Sequence, residues 1–69
     1  MKERPKNSLK VRRAEKDVSQ LRVAADTGIP SDRYHRIEKG YVIPNAEDVR
    51  RLTEYFGVPA DVIFPDMTV

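Results

Sequence analysis

The chain contains no cysteine, no tryptophan and a single histidine among its 69 residues. Without cysteine it can have neither a disulfide scaffold nor a thiolate zinc site. One histidine, His35, with no second His or Cys to join it, does not make a metal centre. Only three glycines occur, and "GIPSDRYHRIEKG" lacks the G-x-x-x-x-G-K-S/T spacing of a phosphate-cradling loop. No apolar run approaches the roughly 18 residues of a membrane span, and the N-terminus has no apolar leader stretch. The expectation is a cytoplasmic, non-enzymatic protein with no cofactor, metal, membrane or small-molecule ligand. A chain this short buries only about 60% of its unfolded surface, so a partner subunit would help it.

Charge is plentiful but nearly balanced, with a net of +2. Its distribution is uneven. Residues 1–22 carry eight Lys or Arg against three acids, whereas residues 23–69 carry five against eight. A basic end of this kind suits a polyanion, although a solvated charged face would look the same.

The apolar pattern is helical throughout. Residues 1–7 carry Pro5 and no period, and read as a basic, flexible arm. Ser8 reads as the N-cap of a first helix, "LKVRRAEK", which stops at Asp17. Ser19 caps a second, "QLRVAADT", whose inward set is Leu21 or Val23 with Ala24 and Thr27; Gly28 ends it. A third helix starts at Pro30 or Ser31 and runs to Lys39, closed by Gly40. Asn45 caps a fourth, "AEDVRRLTEYF", with Asp48 at the capping-box position and Ala46, Val49, Leu52, Thr53 and Phe56 on one face. Gly57 closes it, and a short fifth helix stops at Pro65. The reading is all-α, with five short helices, a domain over 8–65 and a tail at 66–69.

The third helix has two unlike faces. At 100° per residue, Tyr34, Ile37 and Glu38 fall together, opposite Asp32, His35, Arg36 and Lys39. The second face could be an ordinary wet surface with an Asp32–Arg36 pair. The abrupt break before it, Thr27-Gly28-Ile29-Pro30, argues otherwise. Two helices at a steep angle across a short Gly-containing turn form a helix-turn-helix, which holds the second helix out for a DNA groove.

Val18, Ser19-Gln20, Ala24, Gly28-Ile29, Ile37-Glu38-Lys39-Gly40, Pro44 and Phe56-Gly57-Val58 stand in one register. With them the chain resembles the lambda-repressor-like, Cro-type (Xre) helix-turn-helix family over residues 9–64. The resemblance implies a sequence-specific regulator that binds double-stranded DNA through the major groove. It places Ser31, Asp32 and Arg36 at base-reading positions, with Arg33 and His35 at the margin. Ser19, Gln20 and Lys39 fall at phosphate positions, and Arg13 with Glu38 at an interhelical ion pair. It also implies a homodimer meeting through the loop before the fourth helix and the region of the fifth, here Val42, Ile43, Val58 and Val62, with Met67 and Val69 near in sequence. A repressor on a palindromic operator is expected, since no further segment is seen that would touch polymerase.

Several residues depart from the family pattern. Arg12 stands where Leu is usual, Asp17 replaces a Gly, and Pro30 replaces a capping Ser or Thr. Tyr41-Val42-Ile43 fills a loop that is normally polar, and Leu21 and Val62 are apolar where the family is mostly polar. Glu47 and Asp48 read as first-turn acids favourable to the helix dipole, not as catalysts. The competing reading is a protein-binding adaptor or antitoxin-type module of the same fold. Asp32 leans that way, because a carboxylate repels phosphate; the set Ser19, Gln20, Arg36 and Lys39 leans toward DNA.

Overall fold

In the computed structural model, which describes residues 7–65, all regular structure is helical. Five helices follow one another: α1 (Leu9–Lys16), α2 (Gln20–Thr27), α3 (Ser31–Lys39), α4 (Ala46–Phe56) and α5 (Ala60–Ile63). Residues 1–6 of the basic arm and residues 66–69, including Met67 and Val69, lie outside the described residues.

Helix ends follow local chemistry. Asp17 and Gly40 each adopt a left-handed conformation and close their helices with paired bonds from two successive amides. Val18 N–H reaches the Arg13 carbonyl, and Tyr41 N–H reaches that of Arg36. Gly28 and Gly57 close theirs with a single bond, to the Ala24 and Thr53 carbonyls. Asp17, at φ 59°, is the one non-glycine residue with positive φ among those described.

The start of α1 differs from the sequence expectation. Ser8 occupies the cap position, but its hydroxyl donates to the Val62 carbonyl at 2.8 Å, tying α1 to α5. The capping bond comes from Asn7, whose Oδ1 accepts from Leu9 N–H at 3.1 Å. The Asn7 amide also donates to the carbonyls of Ile37 and Glu38, so Asn7 belongs to the folded domain and not to the arm. A hydroxyl and an amide compete for a cap on equal terms in sequence; the neighbouring carbonyl of Val62 decides between them here.

The core is Leu9, Val23, Ala24, Ile29, Tyr34, Ile37, Leu52, Ile63 and Phe64, with Val18, Val42, Val49, Tyr55, Phe56 and Val58 packed around it. Between the two inward candidates of α2, Val23 is the one buried and Leu21 stands in solvent. Each fully buried aliphatic side chain contributes about 1.5–3 kcal/mol, so a core this small leaves little margin. Helix α1 contributes only Leu9 to it. With Arg12 in place of an apolar residue, polar contacts hold α1 instead. These are the Asn7 and Ser8 bonds, Lys16 Nζ 5.0 Å over the Tyr55 ring, and the Arg13 pair described below.

Candidate nucleic-acid interface

The turn between α2 and α3 is built to restart the helix at once. Gly28 takes φ 79° in the left-handed region, where glycine has no steric cost. Ile29 drops into the core at 3% exposure. Pro30, at φ −55°, is already set for the first turn of α3. The Thr27 hydroxyl donates to the Val23 carbonyl at 2.7 Å and accepts from Ile29 N–H at 3.3 Å. From α4, Arg51 Nη1 donates to the Thr27 carbonyl at 3.2 Å and lies where a Cβ on Gly28 would meet it, at 3.1 Å. The turn is therefore fixed on three sides by its own residues, the core and α4.

Helix α3 divides as its periodicity requires. Tyr34 and Ile37 are buried, while Ser31, Asp32, His35, Arg36 and Lys39 are exposed. Burial pushes the Tyr34 phenol well above its usual range. Asp32 and Arg36 form no ion pair with each other, and no described residue bonds or pairs with the Arg36 side chain. The guanidinium is left available on an open face.

Behind that face lies a polar buttress spanning three helices. Arg13 Nε of α1 donates to Glu38 Oε1 of α3 at 2.8 Å, with the Glu38 side chain only 5% exposed. The hydrogen bond to Glu38 raises the Arg13 pKa further, against the opposing effect of burial. The other carboxylate oxygen of Glu38 accepts from the amide of Gln20, at the start of α2. Gln20 Oε1 in turn lies 3.3 Å from His35 Nδ1. A buried carboxylate is tolerated because each oxygen has a donor.

Arg33 is placed elsewhere than the base-reading margin that the family resemblance implies. Its guanidinium turns back to α4 and grips Asp48 through Nε at 3.1 Å and Nη2 at 2.5 Å, both to Oδ2. Asp48 also completes the capping box of α4. Its Oδ2 accepts from Asn45 N–H at 3.0 Å, and its own N–H donates to Asn45 Oδ1 at 2.8 Å. Burial would raise the Asp48 pKa, but the bonds from Arg33 and Asn45 N–H outweigh it and hold the carboxyl below its usual value. In sequence Asp48 reads as a helix-terminal acid only; its partner fifteen positions away has no local signature.

Ser19 caps α2, its Oγ accepting from Arg22 N–H at 3.0 Å, and stays exposed beside Gln20. Lys39 is exposed at the last residue of α3. The four apolar residues expected at a dimer face divide into two pairs. Val42 and Val58 are half-buried against the core, whereas Ile43 is 71% and Val62 41% exposed.

The model of the helix-turn-helix domain family matches residues 8–63. Over 54 residues the chain is 36% identical to the cryptic phage CTXphi transcriptional repressor RstR of Vibrio cholerae, an alignment covering 78% of this chain and 49% of the relative. The chain thus spans about half the length of that relative. No solved structure matches it. Five helices in order, a glycine turn tied into the core and an exposed face on α3 agree with the family match: the chain belongs to the helix-turn-helix domain family, as a lambda-repressor-like, Cro (Xre) type DNA-binding domain.

Proposed function

We propose that this protein represses transcription by binding a palindromic operator as a homodimer, with α3 of each protomer in the major groove. The observation that carries the reading is the Arg36 guanidinium, without a partner among the described residues, on an exposed face with Ser31, Asp32, His35 and Lys39. Arg36 suits bidentate contact with guanine O6 and N7, and Asp32 accepts from cytosine N4. Ser19, Gln20 and Lys39 flank that face at positions suited to phosphates, which fix register without reading sequence. Repression rests on the similarity to a phage transcriptional repressor.

Dimerisation rests on the exposed Ile43 and Val62, with the uncovered parts of Val42 and Val58. Two half-sites on one duplex face would then lie about one helical turn, roughly 34 Å, apart. Selection of bound sequences from a random duplex library tests binding, specificity and half-site symmetry together. Enrichment of an inverted repeat is the expected result; an unenriched library excludes the reading.

A second reading, a protein-binding adaptor or antitoxin-type module, draws on Leu21 and Ile43, each 71% exposed on a small domain. Such a module would enrich no DNA sequence.

A further inference from the structure

We propose that Gln20 fixes the tautomer of His35, so that this side chain meets DNA as a hydrogen-bond acceptor and selects adenine or cytosine. The proposal rests on the DNA-binding reading above. It begins at Glu38, whose buried carboxylate can only accept hydrogen bonds. The side-chain amide of Gln20 must therefore face Glu38 with its NH2 group, as it does. That leaves Gln20 Oε1 directed to His35, with Nδ1 at 3.3 Å.

A carbonyl oxygen cannot bond a lone pair, so Nδ1 carries the proton. The neutral imidazole then has its lone pair on Nε2. The order of donors and acceptors from Arg13 through Glu38 and Gln20 to His35 runs in one direction only. It begins at a guanidinium that cannot act as an acceptor, so it cannot be reversed.

His35 itself is exposed, on the same face as Asp32, Arg36 and Lys39. In the major groove the donors on base edges are the amino groups of adenine N6 and cytosine N4. Guanine offers N7 and O6 and thymine offers O4, all acceptors. An Nε2 lone pair matches the first two and repels the last two. The reading of one base would thus be set from the buried ion pair outward.

Because His35 is the only histidine in the sequence, its ring nitrogens give unambiguous signals in an imidazole-labelled sample. Nitrogen NMR of the free protein at alkaline pH should show a protonated Nδ1 and a bare Nε2. Gln20→Met, which keeps the length but removes the carbonyl, should release the ring to the Nε2–H form. A wild-type ring already protonated on Nε2 overturns the proposal.

Library selection supplies the second arm. The wild type should favour adenine or cytosine at one position per half-site, and His35→Ala should lose roughly fivefold preference there and nowhere else. Gln20→Met should broaden the preference at that same position. Unchanged preferences in His35→Ala, or guanine or thymine at the position it controls, overturn the base-reading role. A wild type that enriches nothing while its Nδ1 is protonated overturns the DNA reading, and the role of His35 with it, but leaves the tautomer assignment standing.

Discussion

Arg13 and Glu38, twenty-five residues apart, meet at 2.8 Å with the carboxylate almost sealed from water, and through them α1 is fastened to α3. Since α1 places only Leu9 in the core, this pair carries much of its attachment. Breaking a buried pair typically costs about 3–5 kcal/mol. The remaining bond from Gln20 shields Glu38, so Arg13→Ala should cost about 3 kcal/mol, at the low end of that range. Chemical denaturation of the two proteins measures it, and an unmoved midpoint excludes a structural role for the pair.

Asp48 makes stability depend on acid. Its folded pKa is depressed below the ordinary carboxylate value, so the unfolded state binds its proton more readily. The contribution is therefore full above the unfolded pKa and lost as pH falls through the folded one. Asp48→Asn should lower stability at neutral pH and flatten the decline below about pH 4. Thermal melts from neutral to acidic pH report both effects. A parallel shift of the two curves, with no change in slope, contradicts the linkage.

Asp17 and Gly28 share a left-handed backbone, yet should respond oppositely to exchange. A side chain in this conformation costs roughly 1–2 kcal/mol, against about 0.5–1 kcal/mol for the extra unfolded freedom of glycine. Asp17→Gly should thus stabilise by up to about 1 kcal/mol. By the same difference Gly28→Ala should destabilise by up to about 1 kcal/mol from the backbone alone. Its new methyl would also press on Arg51 Nη1. Equal signs for the two changes in melting temperature would refute this account.

On DNA, Arg36 and Lys39 should fail in different ways. Arg36→Ala should relax preference at one base pair per half-site, worth about 1–3 kcal/mol of discrimination. Lys39→Ala should weaken all sequences alike and reduce the salt slope by about one unit per lost phosphate contact. Affinities for an operator and its single-base variants at several salt concentrations separate the two. A common factor of loss for Arg36→Ala across all sequences would remove it from the base readers.

Ile43→Asp should split the proposed dimer and weaken binding to the proposed operator while leaving the fold intact, because the side chain is open to solvent in the protomer. Sedimentation with circular dichroism tests both halves of this expectation. A wild type that sediments as a monomer on an asymmetric site rules out the dimer.

The helices are legible in the sequence because their ends are local. The left-handed stops at Gly28, Gly40 and Gly57 and the Asn45–Asp48 box all lie within a few residues of what they close. The two faces of α3 follow from periodicity alone. What sequence does not reveal is where long polar side chains go once the helices pack. Arg33 reads as a marginal base-reading residue until α4 brings Asp48 to it, and nothing in the sequence tells that the Gln20 amide bonds Glu38 behind the exposed face. Asn7 is detectable in principle, being a strong capping residue two positions before Leu9, but Ser8 offers the same signal one step nearer.

The division of labour along α3 sets a rule for transplantation. Ser31, Asp32, His35, Arg36 and Lys39 are exposed, and if they read the operator as proposed, exchanging them should retarget the domain. Arg33 and Glu38 are interleaved with them in sequence but belong to Asp48 on α4 and to Arg13 on α1. A whole helix grafted from a protein that lacks Arg33 or Glu38 would strand Asp48 or Arg13 inside the recipient. A graft restricted to the exposed positions should leave the Asp48 and Arg13 pairs intact.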